Sequence, residues 1–153
     1  MKKNVKRLIC VLMLGVMMVM LGACGAGMQT ATCKIEQNGV VIELTMEANN
    51  DIITKWIQTS TISLGELDEA AKAVLDAVVE QSKTNYAPYD KVSYKVTTTN
   101  DMMVEVITID MTDSDTIKGL VDAGLLPVTG NASKLSLKKT VKNLKSQGYT
   151  VEQ

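Results

Sequence analysis

Asn38-Gly39 stands between two runs in which apolar and polar residues alternate. A two-residue Asn-Gly link favours positive φ at both positions, the geometry of a tight antiparallel hairpin. Residues 32–37 and 40–48 are therefore expected as the first two strands. In the second, Val40, Ile42, Leu44 and Met46 alternate with Val41, Glu43, Thr45 and Glu47, so one face is dry and the other mostly wet. A sheet begun this way is antiparallel and needs helices on one side only. Asn49-Asn50-Asp51 is a second turn, leading to a third strand over 52–62 whose apolar residues (Ile52, Ile53, Trp56, Ile57, Ile62) fall on both faces.

The remaining elements follow from periodicity. Leu67, Ala70, Ala71, Val74, Leu75, Val78 and Val79 keep a helical rhythm, with Ser63-Leu64-Gly65-Glu66 fitting a capping box at its start. Residues 91–99 and 102–111 form a second hairpin about Asn100-Asp101, with Val92, Tyr94 and Val96 alternating on one strand. Met103, Ile107, Ile109 and Met111 make one face of the other. Residues 113–123 read as a short helix on Ile117, Leu120 and Val121, closed by Gly124. A polar loop over 129–133 precedes a last helix capped by Ser136, with Leu137, Val141 and Leu144 inward and Lys138, Lys139, Lys142 and Lys145 elsewhere. Residues 149–151 return as a short edge strand. The sum is one α+β domain over 32–153, an antiparallel sheet of five to six strands with three helices packed on it.

Ahead of this body lies a segment of another kind. Lys2, Lys3, Lys6 and Arg7 precede an apolar run from Leu8 to Met20, and small residues follow, the three-part layout of a secretory signal. Leu21-Gly22-Ala23-Cys24 has the form of a lipobox, in which the Cys thiol receives a diacylglyceryl group and the chain is cut before it. This makes residues 1–23 a lipoprotein signal peptide, Cys24 the lipid attachment site, and 24–31 a short tether. The seven residues from Gly25 to Ala31 reach at most about 25 Å, so the domain is expected close to the bilayer. The same stretch left uncut is long enough to span the hydrocarbon layer as a helix, although Gly15, Gly22, Gly25 and Gly27 weaken it. In either case the basic end stays inside and the body lies outside, by the excess of positive charge on the cytoplasmic side.

Charge narrows the function. Without the four basic residues of its first 23 positions, the chain keeps 12 Lys and Arg against 17 Asp and Glu, a formal charge of −5. No concentrated basic face is present, which argues against nucleic-acid binding. The sequence has no His, removing imidazole bases and every Ser/His or Cys/His nucleophile pair. Paired carboxylates alone still suffice for glycoside hydrolysis, but Glu66, Asp68, Glu69, Asp113 and Asp115 all sit at helix starts, where acids complement the dipole. Asp113-Ser114-Asp115 lacks the Gly and the distant Glu of a calcium loop. Met28, Met46, Met102, Met103 and Met111 share no repeated spacing and read as packing rather than copper ligands. Cys33, on one strand face with Ile35, reads as a small buried hydrophobe. Trp56 and the four Tyr include core residues and candidates for a pocket lining. The lysines of the last helix form a solvated face or one turned to anionic headgroups, and Asn131-Ala132-Ser133 is a sequon of little meaning beside a lipobox-like motif.

The lipobox, the hairpin soon after it, the capped Ala/Val helix, the strand ending Thr108-Ile109-Asp110-Met111 and the Lys-rich helix followed by Gly148-Tyr149 together resemble small bacterial lipoproteins of the YehR type. That family has no established activity, so the resemblance implies an architecture and a location, and only Cys24 takes a role from it, as lipid attachment site. The expectation is a non-enzymatic module without cofactor or metal, lipid-anchored on the extracytoplasmic face of the cell membrane and binding an envelope protein or other envelope component. The alternative is a carrier of a small hydrophobic ligand, with a pocket between sheet and helices.

Overall fold

The computed structural model describes residues 27–65, 67–126 and 134–152. In chain order these form β1 (Met28–Gln37), β2 (Val40–Asn49), β3 (Ile52–Ser63), α1 (Glu69–Tyr86), β4 (Val92–Thr98), β5 (Met102–Asp110), α2 (Ser114–Asp122), α3 (Leu137–Ser146) and β6 (Thr150–Glu152). The strands make one sheet in the order β4-β5-β3-β2-β1-β6, every neighbouring pair antiparallel. The expected α+β architecture is the one observed. Asn38 and Gly39 take φ of 52° and 77°, as their hairpin requires.

β1 begins four residues earlier than expected. β2 continues to Asn49 and offers partners to Met28, Gln29, Thr30 and Ala31, so these residues are strand rather than tether. Gly27 is held as well, its carbonyl accepting the Asn50 amide at 2.9 Å.

β3 resolves its two-faced pattern with one extra residue. Glu47 pairs with Lys55 but Ala48 pairs with Ile53, so Thr54 is unmatched and the register shifts there. The shift lets Ile53 and Trp56, three apart, both turn inward, where strict alternation would send one outward. They are 0% and 1% exposed. The bulge leaves its polar groups bonded: the Thr54 hydroxyl donates to the Glu47 carbonyl, and the Thr54 carbonyl accepts the Met111 amide at 2.9 Å. Across the inner face, Ala31, Met46, Trp56, Ile109 and Val92 stand in one row, and Cys33, Leu44, Gln58, Ile107 and Tyr94 in the next. Ile117, Leu120, Leu137 and Leu144 close over them from α2 and α3.

α1 departs from expectation at both its start and its face. Ser63 stays in β3, paired with Met102, and Leu64 donates its amide to Asp101, so no Ser63 cap forms. The N-cap is Asp68, whose Oδ1 accepts the Ala71 amide at 2.8 Å; Glu66 lies outside the described residues. Val79 is buried and Leu75 half-buried against Leu64, Met103 and Val96, while Val74 and Val78 are 65% and 54% exposed. The helix lies over the β4 end of the sheet, which covers only part of its apolar stripe.

α3 is fixed from a distance. Asp51, in the β2–β3 turn, accepts the Ser136 hydroxyl on Oδ2 at 2.7 Å and the Lys138 amide on Oδ1 at 2.9 Å, while its carbonyl accepts the Leu137 amide. The carboxylate thus caps a helix far along the chain, alongside Ser136, the local N-cap.

Two outcomes follow. Trp56→Ala should lower unfolding free energy by about 3–5 kcal/mol in denaturant titrations. Hydrogen bonds from the Lys138 amide and the Ser136 hydroxyl hold the Asp51 carboxyl below its ordinary value, so its contribution is full above the unfolded pKa and lost as pH falls through the lower folded one. Asp51→Asn should melt at lower temperature than wild type at neutral pH, with the gap closing as pH drops below about 4; a gap that stays constant would contradict this.

Candidate functional site

Where α1 ends, the chain turns sharply and brings three tyrosines together. The Tyr89 amide donates to the Tyr86 carbonyl and the Val92 amide to the Tyr89 carbonyl, at 3.1 and 3.0 Å, which delivers the chain into β4 and Tyr94. The rings of Tyr86 and Tyr94 stack with centroids 5.8 Å apart. The Tyr86 hydroxyl donates to the Leu125 carbonyl and that of Tyr89 to the Gly119 carbonyl. An open cleft of about 400 Å³ runs along this corner, lined by Lys83, Tyr86, Ala87, Tyr89, Asp90, Val92 and Tyr94. A second cleft, of about 530 Å³, shares Asp90 and Val92 and continues past the start of β4 to Glu47, Lys55, Lys91 and Asp110.

Behind the cleft lies a polar group that the strand pattern carries onto the dry face. Glu105 stands between Met103 and Ile107 in the inward alternation of β5, opposite Ser60 of β3. Its Oε1 accepts the Tyr94 hydroxyl at 2.7 Å, and Gln58 donates to Ser60 beside it. Burial, together with the Glu105 carboxylate, raises Tyr94 above its ordinary value, and burial does the same for Tyr86. Both phenols stay neutral donors. With all three hydroxyls engaged inside the protein, the corner offers ring surface edged by Lys83 and Asp90. That suits holding a small amphipathic group or a partner's side chain better than proton transfer.

The residues singled out by sequence fall as follows. Cys33 is buried between its strand partners Leu44 and Val151, and burial pushes its thiol pKa up, opposed by Lys145, so it packs as the expected hydrophobe. Asp113 caps α2, its Oδ2 accepting the Thr116 amide at 2.8 Å, and that bonding lowers its pKa. Met46, Met103 and Met111 are buried in the core. Among the described residues no three His, Cys, Asp or Glu side chains gather around a point that would hold a metal ion, and no helix is long and apolar enough to cross a membrane. Trp56 and the tyrosines divide: Trp56 is core, Tyr86, Tyr89 and Tyr94 line the cleft, and Tyr149 packs near Cys33. Leu21, Gly22, Ala23 and Cys24 lie outside the described residues, as does Asn131-Ala132-Ser133. Sequence reading passed over Glu105, although counting by twos along β5 places it inward.

Residues 29–150 match the family described as protein of unknown function (DUF1307), and the chain belongs to it. It is 30% identical over 153 residues to the uncharacterized lipoprotein Lmo0207 of Listeria monocytogenes, with 96% of each chain covered. It is 28% identical over 150 residues to the uncharacterized lipoprotein Lin0239 of Listeria innocua, again with 96% of each covered. In fold it is similar to the solution structure of the E. coli YehR protein, with a TM-score of 0.64 and 18% identity over 83% of this chain and 93% of that one. The expected resemblance to the YehR type is thus borne out, and the relatives are lipoproteins of unknown function.

The tyrosine corner carries its own test. A Cβ built on Gly119 would stand 2.8 Å from Cε1 of Tyr89, a distance side chains do not tolerate. Gly119→Ala should push the Tyr89 ring off α2. Overpacking costs about 1–3 kcal/mol, offset by up to about 1 kcal/mol of helix propensity. A net loss of about 1 kcal/mol with an altered near-ultraviolet dichroism of tyrosine is expected.

Proposed function

We propose that this protein is a non-enzymatic binding module of the bacterial envelope, exported by residues 1–23 and held by lipid on Cys24 at the extracytoplasmic face of the cell membrane. The observation that carries the reading is the order of basic residues, apolar run and Leu21-Gly22-Ala23-Cys24 directly ahead of a folded body. The lipoprotein names of relatives that align over nearly the whole chain support it. Two acyl chains, each CH₂ contributing ~0.8 kcal/mol, would make attachment effectively permanent.

The binding partner is a protein or other component of the envelope, met at the tyrosine corner beside β4. Ring surface with one cation and one anion at its rim fits contact with a partner's surface. The carrier reading has less support, since Trp56, Met46, Ile117, Leu120 and Leu144 occupy the space between sheet and helices and the clefts described are open ones.

Mass spectrometry of the chain purified from bacterial membranes tests the anchor. The expected mass is that of residues 24–153 plus a diacylglyceryl group on the Cys24 sulfur, and a Cys24→Ser variant should lose this modification. A native chain that keeps residues 1–23, or a Cys24→Ser chain that loses them yet stays in the membrane, would overturn it. Crosslinking in intact cells tests the partner: Tyr89→Ala and Lys83→Glu should weaken its capture.

A further inference from the structure

The start of β1 fixes which part of the body meets the lipid, provided that Cys24 carries the anchor as proposed above. Gly27 is bonded to Asn50, so only Gly25 and Ala26 separate the Cys from a residue held by the fold. Three residue steps reach at most about 11 Å. The corner of the sheet at the β2–β3 turn is therefore held against the membrane surface.

That corner has an unusual surface. Met28 and Ile52, the first residues of β1 and β3, flank Asn49, as strand partners of it, and are 53% and 38% exposed. Ile52 also bridges to Ser136, which brings the start of α3 alongside. Lys134, Lys138 and Lys139 are exposed there, and none has an ion pair among the described residues. Asp51, the acid whose charge faces Lys138 and Lys139, uses its two oxygens for the Ser136 hydroxyl and the Lys138 backbone amide. The acids Asp110 and Asp113 belong to the other side of this end, at the close of β5 and the start of α2.

We propose that Met28 and Ile52 enter the headgroup layer of an anionic bilayer while Lys134, Lys138 and Lys139 pair with its phosphates. Two exposed apolar side chains with lysines at the helix start beside Ile52 form the pattern of an interfacial contact. The seat tilts the body toward its α3 corner, leaving the Asn38-Gly39 hairpin, at the other end of β1 and β2, pointing away from the membrane.

The test uses the lipidated full chain, its lipid mass verified first, in vesicles containing phosphatidylglycerol. A nitroxide is attached at Ile52→Cys or, as reference, at Asn38→Cys; Cys33 is buried and should not react. The label at position 52 should be several-fold less accessible to a water-soluble nickel chelate than the label at 38. Lys134→Gln/Lys138→Gln/Lys139→Gln should narrow the difference between the two, as should neutral vesicles, the short tether alone keeping position 52 nearer the bilayer than 38. Equal accessibility in anionic vesicles overturns the seat. Protection that is undiminished in the triple variant and in neutral vesicles overturns the part played by lysine and anionic lipid. A chain lacking the lipid mass would instead sink the anchor itself, so the two failures are distinguishable.

Discussion

Thr54 is the residue on which the core depends. A β-strand alternates sides, and a strand that brings both Ile53 and Trp56 to one face must break that alternation once between them. The extra residue does this, and its hydroxyl and carbonyl are taken up by Glu47 and Met111, so the irregularity leaves these two groups satisfied. Beyond it, Trp56 lines up with Met46 on one side and Ile109 on the other. Without the shift, one of two large side chains would leave the row that α2 and α3 cover.

The same place marks where reading by pattern reached its limit. The Asn38-Gly39 hairpin, the second hairpin, α2 with its Asp113 cap, α3 with its Ser136 cap and the closing edge strand all follow local rules that act within a few residues, and all are found. The bulge depends on which residue of β3 meets Ala48, a pairing between strands that periodicity along one strand does not contain. The early start of β1 likewise depends on β2 running on to Asn49. The exposed Val74 and Val78 reflect where α1 lies on the sheet. A helical stripe tells which side is apolar, and its neighbours decide how much of it is covered.

The candidate site divides along similar lines. The proposed anchor motif, Leu21-Gly22-Ala23-Cys24, is contiguous and can be read in the chain alone. The tyrosine corner is assembled from the end of α1, the turn after it, β4, and two carbonyls near α2, so only folding brings it into being. Glu105 is the exception: its place in the alternation of β5 made it readable, but an apolar face containing one carboxylate is easily counted as apolar. Its bond to Tyr94 explains its tolerance there, since a half-buried carboxylate is stabilised by a donor that stays neutral.

The order of strands at the far edge bears on how the molecule is made. β1 lies between β2 and β6, with Thr32 opposite Glu152. A chain that emerges with its amino end leading therefore offers its first strand at once but must wait for Thr150–Glu152 before that strand gains its second neighbour. Until then one side of β1 is unpaired, and ring closure over nearly the whole sequence is still to come. A fragment truncated before residue 150 would leave Thr32, Cys33 and Lys34 without their β6 partners, lengthening the unpaired border that β1 already presents on that side.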